Sequence, residues 1–375
     1  MLINQLDETA MRDVRVACAT LFSEELAYDD SFIENLSIET VEKAYWQKAK
    51  RCYHHLSPLS SRSEAQEALN DVRNSLETLT SFLRTDSQMV DEAPRIGKII
   101  AIGGAKGGIG KSIIVANLSV LLASKGFRVT AVDLDLGGAN LHLCLGNKVL
   151  LQNNINDFLR KRVDSLQDIA IKSEYGPYLI GGDSAQLGAA NIDFGRKLKL
   201  LRAVENLNSD FIILDLGGDT SYNIIDFFLK ADYGIVVTTR DSASYIGAYH
   251  FLKAAMYRRF NRLFGPESRF RMYKNHQLEQ LIREMMNPAD GEWPKSINDL
   301  LEKVRQEQPD HFPFMCEVVE NFNSYLVVNK VPNRLLRTFD VNPIITRIQQ
   351  VTRTWLAKEV TYLGSISFQP EVENS

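Results

Sequence analysis

Apolar and polar positions follow two rhythms along this chain, and the change falls near residue 97. Before it, the spacing is helical. From Ser37, the run SIETVEKAYWQKAKRCY places Val41, Ala44, Tyr45, Ala49 and Cys52 on one face, behind a serine N-cap and an early Glu39. A second helix is predicted from about Ser63, with Gln66 completing a capping box and Ala65, Ala68, Leu69, Val72, Leu76, Leu79 and Leu83 along one stripe. LSPLSS between them reads as a turn, so two antiparallel helices are the minimum for this segment. Residues 87–97, SQMVDEAPRIG, lack periodicity and carry Pro94 and Gly97, which marks a linker.

Beyond the linker, short apolar runs alternate with helical ones. KIIAIG, FRVTAVD, YLIGGD (178–183), DFIILD, YGIVVT, SYLVVN and TYLGSISF have the length and β-branched content of strands. SIIVANLSVLLASKG, INDFLRKRV, a segment near 195–206, HQLEQLIREMM and SINDLLEKVRQE between them read as helices. Strands alternating with helices require right-handed crossovers. The predicted fold class is therefore α/β, a mostly parallel sheet with helices on both faces, preceded by a small all-α domain. The boundaries that follow are 1–86 for the helical domain, 87–97 for the linker and 98–375 for the α/β domain.

Composition narrows the class only a little. The chain of 375 residues has room for two or three compact units. Its net charge of −4 is unevenly spread, about −8 on residues 1–94 and about +4 on the rest. Cys18, Cys52, Cys144 and Cys316 are scattered without C-x-x-C spacing, which argues against a disulfide framework or a zinc site and fits a reducing cytoplasm. The acidic N-terminus MLINQLDETAMRDVR has no signal-peptide core, and no run approaches the ~18 apolar residues of a membrane span.

The chemistry concentrates in residues 98–112, KIIAIGGAKGGIGKS, where a strand feeds a glycine-rich turn and then a helix. Gly107, Gly108 and Gly110 let the backbone curl so that successive N–H groups, that of Ile109 included, converge on phosphate oxygens at the helix start. Lys111 adds a point charge for the β- and γ-phosphates, and the Ser112 hydroxyl can ligate Mg²⁺. Asp133 and Asp135 end the next strand, where ligands of parallel sheets bind, although such aspartates can also be simple helix caps. DFIILD ends at Asp215, a Walker B carboxylate that can hold Mg²⁺ through water. No glutamate follows it, which predicts slow turnover.

The loop has Ala105 where the general phosphate loop has its first glycine, and it contains a second lysine, Lys106. In this it resembles the deviant Walker A motif of the MinD/ParA family of ATPases. DLDLGGANLHLCLG, TTRDSASYIGAY, SYLVVNKVPN and TYLGSISF are similar to further segments of that family, with Arg240 in place of a proline and with Ser367 and Gln369 in place of Pro and Asp. The resemblance covers about residues 98–250 and 323–372. It implies ATP and Mg²⁺ as ligands, a homodimer formed on ATP binding, and Lys106 reaching across to the partner's phosphates. It further implies Asp135 positioning the attacking water, Asp133 supporting Mg²⁺, Gly217 and Gly218 in a mobile second switch, and Asn329 recognising adenine. The implied output is the placement of a cellular structure such as flagella or the division site. Partitioning of DNA, or a nucleotide-holding adaptor without turnover, are the alternatives. An iron–sulfur branch of the same fold needs paired interface cysteines that the scattered cysteines do not supply.

Two further segments suggest partners. VEKAYWQKA and EALNDVRNSLETL resemble the second and third helices of a J-domain, but Tyr53-His54-His55-Leu56 stands where that family has His-Pro-Asp. The resemblance therefore implies docking of a protein partner rather than chaperone stimulation. Within an expected helical insertion at about 256–320, residues 257–274 interleave Arg258, Arg259, Arg262, Arg269, Arg271 and Lys274 with Tyr257, Phe260, Phe264, Phe270 and Tyr273, which makes Arg258 to Lys274 a candidate patch. Cations with aromatics suit nucleic acid or an anionic membrane; a helix with a solvated basic face and a buried aromatic face is the plainer reading. Relatives of the MinD type continue into a basic amphipathic membrane anchor, and none is seen at the end of this sequence. The expected location is the cytoplasm, with at most peripheral membrane contact.

Overall fold

The computed structural model describes residues 8–37, 40, 41, 43–45, 47–49, 62–85, 97–135, 138, 140–146, 153–182, 193–265, 275–286, 296–332 and 342–370. The chain divides into two compact units, Met1–Ala93 with Pro309–Phe314, and Pro94–Gln308 with Met315–Ser375.

The first unit is helical throughout its described part. Helices α1 (Glu8–Leu21), α2 (Glu24–Ala27), α3 (Asp30–Glu34) and α4 (Arg62–Thr85) are joined by helical residues between 40 and 49. Ser37 caps that stretch, its hydroxyl accepting the Thr40 N–H at 3.2 Å, and Val41, Tyr45 and Ala49 are buried behind it. On α4, Val72, Leu79 and Phe82 are buried, whereas Ala68, expected on the same stripe, is exposed. Sequence periodicity did not reveal α1 to α3. Two of them are a single turn long and are set by caps, Ser23 accepting from Leu26 and Asp29 from Phe32. Cys52, the Tyr53–Leu56 stretch and all of the linker except Gly97 lie outside the described residues.

The second unit is built on an eight-stranded sheet: β1 (Lys98–Gly103), β2 (Val129–Asp133), β3 (Ile171–Lys172), β4 (Tyr178–Ile180), β5 (Phe211–Asp215), β6 (Tyr233–Thr238), β7 (Ser324–Val331) and β8 (Thr361–Ser367). Their order is β3-β4-β2-β5-β1-β6-β7-β8, and all neighbours are parallel except β3 and β4. The expected α/β fold is thus present, with a two-residue antiparallel edge, β3, that was too short to read from the sequence.

Alternation along β1 shows how both faces are covered. Ile102 joins Ile213, Val129 and Ala131 in a core against Val115 and Ala116 of α5 (Lys111–Ser124). A side-chain carbon on its neighbour Gly103 would instead meet Phe228 and Phe251, from α9 (Tyr222–Phe228) and α10 (Ser242–Phe264) on the other face. Between these lie α6 (Leu141–Cys144), α7 (Ile155–Leu159) and α8 (Phe194–Glu205). The later helices are α11 (His276–Met286), α12 (Ile297–Glu307), α13 (Phe312–Glu320) and α14 (Asn342–Leu356). The helix α10 runs unbroken through residue 256, so the expected start of the insertion lies inside a helix that begins fourteen residues earlier at the sheet's ligand-facing end.

Candidate functional site

Three adjacent parallel strands bring the expected residues to one place. The register pairs Ile102 of β1 with Asp215 of β5, and Asp215 with Asp133 of β2. The glycine loop leaving β1 therefore lies beside both carboxylates. Gly110 caps α5 in the left-handed region at φ 92°, and Gly108 has φ 73°. A side-chain carbon added at Gly107 or Gly108 would meet nothing within 4 Å, so the loop's outer surface is open to a ligand.

Lys111 is buried, and its ammonium donates to the Lys106 carbonyl at 3.1 Å, folding the side chain back along the loop. Burial lowers its pKa, opposed by the charges of Asp215, Asp135 and Asp219. Burial pushes Asp133 up to about 7, with the Asp215 charge adding to the effect, although the Leu141 and Asp135 N–H groups donate to it at 3.0 and 3.1 Å. Asp215 is pushed up to about 6, again first by burial, against a hydrogen bond from Ser112 and the charge of Lys111.

Two buried carboxylates that resist ionisation side by side form a place where a cation is favoured. One oxygen of Asp215 is buried with no hydrogen-bond partner, which suits a ligated or water-bridged ion. Among the described residues no group of three or more His, Cys, Asp or Glu side chains could hold a metal alone. Mg²⁺ takes one or two protein ligands directly and can be held by others through water, with phosphate oxygens completing its shell. Ser112, Asp133 and Asp215 are the residues that would hold it.

The other expected residues surround this centre. The carboxylate of Asp135 sits against Gly138 and Gly217, since a side-chain carbon on either would come within 3.4 Å of it. Gly218 abuts the glycine loop: a side-chain carbon there would be 2.8 Å from the Gly107 nitrogen. The segment after β5 thus touches the loop backbone directly, in a way only glycine permits. Lys106 is half exposed, and its ammonium is held by Asp241 at 3.0 Å. Asp241 was missed by the sequence reading. It caps α10 by accepting the Ser244 N–H at 2.9 Å, and a bond from Thr239, then one from Lys106, holds its carboxyl down at about 2. An aspartate ahead of the helical run SASYIGAY was the available signal. Asn329 is buried at the end of β7, and its amide donates to the Ile109 carbonyl at 2.7 Å.

The described part of the basic segment is arranged otherwise than a nucleic-acid or membrane patch requires. Arg258 is buried and grips Asp226 of α9 with two bonds of 2.8 and 2.9 Å, beside Lys197 of α8 at 2.5 Å and Arg262 at 3.7 Å. Arg259 donates to the Asn321 carbonyl at 3.2 Å. Tyr257, Phe260 and Phe264 are core residues. These cations hold helices together; residues 266–274 lie outside the described part.

Comparisons with known proteins match part of the chain. Residues 97–261, under half of the chain, match a family described as an AAA domain. The chain is 35% identical over 158 residues to a flagellum site-determining protein YlxH of Helicobacter pylori, covering 42% of this chain and 53% of that one. It is 27% identical over 180 residues to the antiactivator FleN of Pseudomonas aeruginosa, covering 48% and 61%. With the septum site-determining protein MinD of Helicobacter pylori it shares 29% over 148 residues, covering 39% and 54%. The chain thus spans about half the length of the curated relatives it matches. Among solved structures, a MinC:MinD cell division complex of Aquifex aeolicus aligns with a TM-score of 0.45 at 18% identity, over 74% of this chain and 84% of that one.

Proposed function

We propose that this chain is a phosphate-loop ATPase of the MinD/ParA type, a slow ATP hydrolase that switches between monomer and ATP-clamped homodimer, a reading supported by its likeness to site-determining proteins. The observation that carries the reading is the convergence of Lys111, Ser112, Asp133 and Asp215 on one open glycine loop, with Lys106 at its rim. Gly107 to Ser112 bind the phosphates. Ser112, Asp133 and Asp215 would hold Mg²⁺, which would supply charge neutralisation to the phosphates. Asp135 orients the attacking water.

Lys106 serves the second copy. In the single chain it rests on Asp241; in the dimer it leaves that exposed partner for the phosphates of the opposite subunit, where four negative oxygens outcompete one carboxylate. Loss of the γ-phosphate is sensed where Gly217 and Gly218 touch Asp135 and the glycine loop, and the pair separates. The names of the matching relatives support an output in siting flagella or the division septum. The N-terminal helical unit docks a protein partner, and the free Cys18, Cys144 and Cys316 suit a reducing cytoplasm.

Phosphate release from ATP with Mg²⁺ tests the chemistry. Slow turnover by the wild type is expected to fall by roughly 100-fold or more in Lys111→Ala and Asp135→Ala. Turnover that survives Asp135→Ala would refute the assignment of the water-positioning group.

A further inference from the structure

The strand β7 is irregular where it carries Asn329. Val328 pairs with Ser365 of β8, and the next pair is Val331 with Ser367, so β7 contains one residue too many between them. The extra residue is accommodated by Lys330, which has φ 56°, a left-handed conformation uncommon for a side chain of that length. Val328 and Val331, three positions apart, lie in one core cluster with Ile345, so they share a face that alternation along a regular strand would divide. A bulge of this kind re-aims the side chain beside it, and bulges are rare between parallel strands.

Here the re-aimed side chain is Asn329. Its amide nitrogen reaches from the second strand over to the Ile109 carbonyl at 2.7 Å, inside the glycine loop. It also fills the space where a side chain at position 110 would begin, since a carbon added to Gly110 would lie 2.3 Å from that nitrogen. Gly110 is therefore constrained twice, by its left-handed backbone and by the approach of Asn329. The contact is buried, so the bond has no water to compete with it.

We infer that Asn329 is a positioning residue for the phosphates, a strut by which the β7 bulge holds the Ile109–Gly110 turn in its binding shape. This deepens the nucleotide-switch reading and rests on it. Its consequence differs from that of a residue that reads adenine. A base reader matters only to ligands that have a base; a strut matters to any ligand that uses the loop.

Titration calorimetry with MgATP and with the base-free probe tripolyphosphate separates the two. For Asn329→Ala both affinities are expected to fall by a similar factor, roughly fivefold to tenfold, the worth of one buried hydrogen bond. Asn329→Asp, of equal shape, is expected to weaken both more strongly, because a carboxylate then faces the Ile109 carbonyl. It also serves if the alanine variant fails to fold. A fall for ATP with tripolyphosphate unchanged overturns the strut in favour of base recognition, and no fall for either overturns it outright. Amide hydrogen exchange across residues 104–112 of the ligand-free protein tests the same point without any binding. Faster exchange in Asn329→Ala supports the strut, and unchanged exchange refutes it. If wild type binds neither ligand while that exchange still rises, the nucleotide reading fails and the strut stands.

Discussion

At the scale of single residues, burial of charge separates groups that serve the site from groups that only burden the fold. Asp133 and Asp215 are pushed up to about 7 and about 6 inside a cluster that a cation would neutralise. Glu317 on α13 is likewise pushed up to about 7, by burial and then by the charge of Glu320, against a hydrogen bond from the Asn321 amide at 3.3 Å. A carboxyl with a folded pKa above its unfolded value stabilises the fold below the unfolded pKa, and that contribution is lost as pH rises through about 7. Glu317→Gln removes the charge but keeps the shape. Urea unfolding is expected to show the variant more stable than wild type by about 1–2 kcal/mol at pH 8.5, with the gap closing by pH 5. A gap independent of pH would contradict the assignment.

At the scale of elements, an ion cluster ties together the helices behind the switch. Asp226 sits on α9, eight residues after Gly218, and is held by Lys197 of α8 and by Arg258 of α10, all three side chains nearly inaccessible to water. Removing Arg258 breaks two buried charge-assisted bonds to Asp226, leaves that carboxylate to Lys197, and empties the space the guanidinium fills. Arg258→Ala is expected to cost about 3–5 kcal/mol in urea unfolding, far above the cost of an exposed arginine such as Arg353, whose removal is worth under about 1 kcal/mol. An effect of Arg258→Ala equal to that of Arg353→Ala would mean that the cluster does not brace the helices.

The same segment shows where sequence reading works and where it stops. Strand ends were legible because each apolar run stops at a glycine or an aspartate, so β1, β2 and β5 were found with Lys111, Asp133 and Asp215 beside them. Arg258 was not legible. Its charge looks the same in the sequence whether it faces water or Asp226, and the pairing spans 32 positions that no local period connects. Asn329 was found, but its contact with Ile109 is 220 residues distant and depends on a bulge that alternation cannot reveal. Asp241 was readable only as a helix cap, and its hold on Lys106 belongs to the folded loop.

At the scale of the whole molecule, the central claim is that Lys106 works for a second copy. Within one chain it has an exposed carboxylate partner, Asp241, and such a pair contributes little to stability, so surrendering it on dimerisation costs little. The open loop surface above Gly107 and Gly108 leaves room for a triphosphate to lie between two chains. On the proposed reading hydrolysis limits the lifetime of the pair, so a variant that binds but cannot hydrolyse should accumulate it. Size-exclusion chromatography with light scattering of Asp135→Ala, with MgATP or MgADP, measures this directly. A dimer is expected with MgATP, a monomer with MgADP, and a monomer with either once Lys106→Ala is added. A monomer of Asp135→Ala in saturating MgATP, or a dimer indifferent to Lys106 and to the nucleotide, would contradict the account.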